Sequence, residues 1–138
     1  MTAESRADPR GYVEAVRVAL VAEGIEIGEM VSPEPGRSTR MLGLSIDGPH
    51  FQDTEWLDLI WDEEFGWTVH KAFLTGGTRG RSHSADGLGL GLVPEPATVA
   101  RYVATVLGSR ESFSDRGRRY RRAFRPDPDL EAALSAYS

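Results

Sequence analysis

The sequence predicts an α+β fold: a two-layer sandwich with an antiparallel sheet of four to five strands. An N-terminal and a C-terminal helix cover one face, and a short terminal helix follows. Three observations predict it. Apolar residues recur at helical spacing near both flanks of the chain. Between them, apolar and polar residues alternate in short runs, and clusters of turn formers separate those runs.

Asp8 before Pro9 reads as a helix start, with the carboxylate as cap and the proline at the first helical position. Val13, Val16 and Leu20 then repeat at helical spacing, Tyr12 and Ala19 widen the stripe, and Gly24 is a stop. A helix is expected over 9–23. Ile25, Ile27 and Val31 alternate as a strand over about 25–31, and Ser32-Pro33-Glu34-Pro35-Gly36 forms a loop. Leu42, Leu44 and Ile46 mark a second strand ending at Asp47-Gly48-Pro49.

The most informative stretch is a hairpin, from Trp56 to Asp62 and back from Trp67 to Phe73 through Glu63-Glu64-Phe65-Gly66. With Gly66 in the left-handed position of a three-residue loop, Glu63 is expected opposite Trp67, Trp61 opposite Val69 and Leu57 opposite Phe73. One face then collects Leu57, Leu59, Trp61, Trp67, Val69 and Phe73. Asp58, Asp62, Thr68 and His70 share the other with Ile60.

Residues 74–87, rich in Gly and Ser and without periodicity, read as a mobile loop. Leu88, Leu90 and Leu92 alternate with Gly89 and Gly91 as a short strand. Pro94-Glu95-Pro96 opens a second helix with Val99, Tyr102, Val103 and Val106 buried and Gly108 at its end. A last helix over about 128–137 has Asp127 as cap and Leu130, Leu134 and Tyr137 on one side. The organisation expected is one α+β domain over 1–109 and an arginine-rich extension over 110–138.

At 138 residues, with 40% hydrophobic and 27% charged, the chain can bury a core without metal or disulfide staples. The lack of cysteine excludes disulfides, iron–sulfur clusters, thiolate zinc sites and cysteine nucleophiles. No apolar run approaches ~18 residues and the N-terminus has no hydrophobic signal region, so a cytoplasmic location without membrane contact is the expectation. The net charge of −5 is segregated: residues 1–64 carry −9 and residues 65–138 carry +4. All but one of the 16 basic residues are arginine, a bias that suits a GC-rich source genome.

The helix YVEAVRVAL, the hairpin LIWDEEFGW and the closing LVPEPATVARYVATVL together resemble a family of small actinobacterial proteins of unknown function, over about residues 12–107. The resemblance implies the helix–sheet–helix order and no activity, cofactor or catalytic residue. The arginine-rich tail lies outside it. In element order alone the chain is also similar to bacterial chaperone-like domains that bind peptides or pair as dimers.

The glycine-rich stretch matches neither phosphate-binding motif. Gly80-Arg81-Ser82 has Arg where a P-loop has Lys, and Gly87, Gly89 and Gly91 fall at even spacing. Exposed Arg79 and Arg81 are its candidate anion contacts. Asp62-Glu63-Glu64 reads as a solvated turn, since no nearby sequence completes a metal site. His50, His70 and His83 show no metal-ligand spacing. His70 shares a face with Asp58 and Asp62, an acid–His contact that would be catalytic only with a nucleophile and a pocket. Trp56 is a candidate surface aromatic.

The strongest local signal is the tail, where Arg116, Arg118, Arg119, Arg121, Arg122 and Arg125 are interleaved with Tyr120 and Phe124. Such a segment can neutralise phosphates and stack on bases. It can equally dock on the acidic half of its own chain, of a second copy, or of another protein. The expected function is therefore a non-catalytic protein-interaction module, homodimeric, with no cofactor or metal. Its contact surfaces would be the free sheet face, the 74–87 loop and the tail. The alternatives are nucleic-acid binding through 116–125 and an enzyme with a site near His70, Asp58 and the 74–87 loop.

Overall fold

The computed structural model describes residues 6–31, 39–48, 54–75, 80–109, 119–122 and 125–137. Helix α1 (Arg10–Ala22) starts one residue later than expected, with Pro9 and not Asp8 at its N-cap, and the Asp8 carboxylate accepts the Arg10 N–H at 2.9 Å. It stops at Gly24, whose φ of +85° turns the chain so that the Ile25 N–H bonds back to the Leu20 carbonyl at 3.1 Å. Five strands follow: β1 (Glu26–Val31), β2 (Met41–Gly48), β3 (Thr54–Asp62), β4 (Gly66–Thr75) and β5 (Gly80–Gly87). They lie side by side in chain order, each antiparallel to its neighbour. Helices α2 (Pro96–Ser109) and α3 (Pro128–Ser135) complete the described elements. No described helix is long and apolar enough to cross a membrane.

One sheet face carries the core. Leu42, Leu44 and Ile46 of β2 lie opposite Trp61, Leu59 and Leu57 of β3, and Trp67 and Val69 of β4 continue the first two rows. All are buried, together with Tyr12, Val13, Val16 and Leu20 of α1 and Val99, Ala100, Val103 and Val106 of α2. Leu130 and Leu134 of α3 belong to the same cluster, and Asp127 caps that helix by accepting the Leu130 N–H at 3.1 Å. Each fully buried aliphatic side chain contributes about 1.5–3 kcal/mol of transfer free energy.

The indole N–H groups in this core are satisfied. Trp61 donates to the Leu92 carbonyl at 2.7 Å, and Trp67 donates to the Tyr12 hydroxyl at 3.0 Å. That hydroxyl in turn donates to the Pro94 carbonyl. Burial raises the Tyr12 phenol above its usual range, so it stays a neutral donor.

Several local expectations change. The hairpin register is shifted by two residues: Asp62 faces Gly66, Trp61 faces Trp67, Leu59 faces Val69 and Leu57 faces Lys71. Asp62 causes this, its Oδ1 accepting the N–H groups of Glu64 and Phe65 at 2.7 and 3.2 Å and closing the turn one residue early. Gly66 does take the left-handed position, at φ +71°. A two-residue shift preserves strand faces, so the expected apolar set through Val69 is buried; the Phe73 side chain lies outside the described residues.

In β1 a register irregularity makes Ile27 and Met30 oppose Ile46 and Leu44, so the expected Ile27/Val31 alternation does not hold. The stretch 74–87 is not a loop as a whole. Leu74 and Thr75 end β4, and Gly80–Gly87 pairs with β4 through eight consecutive partners; residues 76–79 lie outside the described residues. Conversely, Leu88–Leu92 forms no strand, because Gly89 and Gly91 adopt φ +70° and +93°. Helix α2 also continues through Gly108 to Ser109.

Candidate functional site

The β3–β4 turn holds the densest polar cluster among the described residues. Glu63 has no exposed surface, and Asp62 is 7% exposed. The solvated acidic turn is thereby corrected: Glu63 is the buried hub of an arginine cluster. Arg6 donates to both carboxylate oxygens, to Oε2 at 2.6 Å. Arg40 contributes its backbone N–H and its guanidinium, at 3.1 Å from Oε1, while the Glu63 N–H returns a bond to the Arg40 carbonyl. Arg121 Nη1 donates to Oε1 at 2.9 Å and to the Glu63 carbonyl at 3.3 Å.

The cluster extends outward through two further carboxylates. Arg40 forms a two-pronged pair with Glu131 of α3 at 2.6 and 2.8 Å. Glu131 also accepts the Ala7 N–H at 2.7 Å, and Arg121 Nε lies 3.3 Å from Asp127. Three guanidiniums thus meet three carboxylates. Burial alone would raise the Glu63 carboxyl. The hydrogen bonds from the Arg40 N–H and from Arg6, Arg40 and Arg121 outweigh it and hold it down at about 2. A carboxylate fixed in that state, with its oxygens occupied, is a fastening point and not a proton donor or acceptor for chemistry.

Tail residues reach the same turn. The Tyr120 N–H donates to the Glu64 carbonyl at 2.7 Å, and the Tyr120 hydroxyl accepts the Gly91 N–H at 3.3 Å. Arg119 lies 3.7 Å from the Glu64 carboxylate, with its guanidinium 5.3 Å from the Phe65 ring centroid. Arg122 and Arg125 are exposed. Arg79, Arg116, Arg118 and Phe124 lie outside the described residues. Trp56 and Arg81 are placed by backbone alone, opposite Ala72 and Leu74.

On the sheet face away from the core, Asp58 lies directly opposite His70, so the register brings these two candidates together. Burial raises the Asp58 carboxyl, while the His70 charge and a Ser45 hydrogen bond lower it. His70 Nε2 is 3.2 Å from the Thr68 hydroxyl, which is also 3.4 Å from the Ile60 carbonyl. The Ser45 side chain hydrogen-bonds to Asp58. These side chains are half-buried on a strand surface, and the arrangement reads as a cross-strand polar ladder.

Sequence reasoning singled out the tail arginines, of which Arg119 and Arg121 reach this turn, and missed Glu63, Arg6, Arg40 and Glu131. The partners of Glu63 lie 57, 23 and 58 residues away, beyond any local pattern. The one available signal was the segregation of acidic and basic residues between the two halves of the chain.

Residues 12–105 match a family described as a family of unknown function, DUF6292, and the chain belongs to that family. No curated protein and no solved structure matches it.

Proposed function

We propose that this member of a family of unknown function is a cytoplasmic, non-catalytic protein-interaction module that pairs with a second copy of itself along the edge of its sheet. The observation that supports this reading is β5. It is eight residues long, has an unbroken register with β4, and pairs on one side only among the described residues. A regular edge strand presents a row of backbone N–H and C=O groups to any strand laid beside it. The opposite edge differs, since β1 carries two register irregularities. The 74–87 segment therefore keeps its proposed role as a contact surface, in the form of a strand.

The test is light scattering of the full chain over a range of concentrations, with hydrogen exchange read at 80–87. A two-chain mass with protection of 80–87 that rises with concentration supports the reading. A one-chain mass throughout, with exchange independent of concentration, overturns it.

Nucleic-acid binding through 116–125 is the weaker reading, because Arg119 and Arg121 already face Glu64 and Glu63. Titration with generic DNA at low and moderate salt checks it: affinity that falls steeply with salt would restore it.

A further inference from the structure

Three consecutive tail residues contact the β3–β4 turn, each in a different way. Arg121 reaches Glu63 at 2.9 Å, Tyr120 makes a backbone bond to Glu64, and Arg119 pairs with Glu64 and covers Phe65. The turn itself is braced from within. Asp62 holds it through two backbone N–H groups, and Gly66 packs so closely that a Cβ there would meet the Gly91 carbonyl oxygen at 2.3 Å. An acidic pair beside an aromatic ring, on a turn whose Glu63 and Glu64 carbonyls accept from Arg121 and Tyr120, is complementary to an Arg-Tyr-Arg segment in charge and backbone polarity.

The turn lies within the part of the chain shared with the family, residues 12–105, whereas the segment that fills it lies beyond. Nine residues, 110–118, separate the end of α2 from that segment, a span of up to ~30 Å when fully extended.

We propose that the turn Glu63-Glu64-Phe65 is a recognition site for an Arg-Tyr-Arg segment, filled here by residues 119–121 of the same chain, and that the same segment of a second copy fills it in an exchanged dimer. The proposal rests on the reading of the chain as a self-associating module but makes no use of β5. An exchanged tail remakes between two chains the contacts of Arg119, Tyr120 and Arg121 with the turn and the packing of Leu130 and Leu134, so exchange requires no new interface. The competing occupant is the tethered tail itself, whose effective concentration is of order mM for a short linker. Exchange therefore grows with protein concentration and is reached through refolding.

The absence of cysteine makes the test clean. The full chain carrying Glu64→Cys and Arg119→Cys is refolded at low and at high concentration. It is then treated with a short bifunctional thiol crosslinker and sized under denaturing conditions. Crosslinking within one chain at low concentration reports a docked tail. The expected result at high concentration is a species of twice the chain mass. One-chain products at every concentration would overturn the proposal, as would equal dimer from either single-cysteine variant.

A second measurement mixes full chains carrying Glu63→Gln with chains carrying Arg121→Ala. Only exchange pairs an intact tail with an intact turn, so the mixture should show at least twice the dimer fraction of either variant alone. A mixture that behaves as the sum of its parts overturns the proposal. Because β5 is unaltered in both, failure here leaves the edge-strand reading standing, whereas a two-chain mass without protection of 80–87 overturns that reading and leaves this one.

Discussion

Arg121 and Glu63 stand 58 residues apart in the chain and 2.9 Å apart in space, one 9% exposed and the other fully buried. Removing one partner of a buried pair costs more than the pair itself contributes, because the remaining charge is stranded. Arg121→Ala still leaves Glu63 with Arg6 and Arg40, and should cost about 1–3 kcal/mol. Glu63→Ala strands three guanidiniums and should cost about 3–5 kcal/mol. Urea unfolding measures both, and the double variant should lose less than the sum.

The acid limb of stability should follow Glu63. Its folded carboxyl is depressed to about 2 from an ordinary value of 4.5, so its contribution is fully present above 4.5 and is lost as pH falls from 4.5 toward 2. The size is about 3 kcal/mol at about 1.4 kcal/mol per unit. Glu131, lowered mainly by Arg40, acts in the same direction, while Asp62 and Asp58, both raised chiefly by burial, act in the opposite one. Unfolding free energies at pH 6 and pH 3 should differ less in Glu63→Gln than in the parent chain.

Two glycines with left-handed backbones should respond differently to alanine. Gly24 at φ +85° has open space around an added Cβ, so Gly24→Ala should cost about 1–2 kcal/mol, the backbone penalty alone. Gly66 at φ +71° would also drive a Cβ into the Gly91 carbonyl, and Gly66→Ala should cost distinctly more. Thermal unfolding of the two variants side by side gives the ranking.

Tyr12→Phe should cost about 1–3 kcal/mol despite being nearly isosteric, because it leaves the Trp67 indole N–H and the Pro94 carbonyl without their partner. Denaturant unfolding measures the loss, and a neutral result would mean that water enters to replace the hydroxyl.

What was legible in the sequence was whatever short-range chemistry decides. Gly24 ends α1, Asp127 caps α3, and the apolar alternation of β2 to β4 fixes which face is buried. The register of the hairpin was not legible, because the Asp62 side chain competes for the turn's backbone donors and shifts the pairing by two. Strand β5 was hidden for a different reason. Gly-Arg-Ser-His-Ser-Ala-Asp-Gly has no apolar rhythm, and it is a strand because β4 offers a ladder to complete. The Glu63 cluster was invisible as a unit, since it gathers residues from both ends and the middle of the chain.

The bond from the Ala7 N–H to Glu131 joins positions 124 apart, and with Arg6 and Arg121 on Glu63 it ties the beginning of the described chain to its end. A chain synthesised from its N-terminus exposes the sheet and the Glu63 turn well before Arg121 and Glu131 leave the ribosome. During that interval Glu63 has no tail to receive, and the core lacks Leu130 and Leu134. Arg121 and Glu131 therefore complete the Glu63 cluster, and Leu130 and Leu134 the core, only when translation has run through α3.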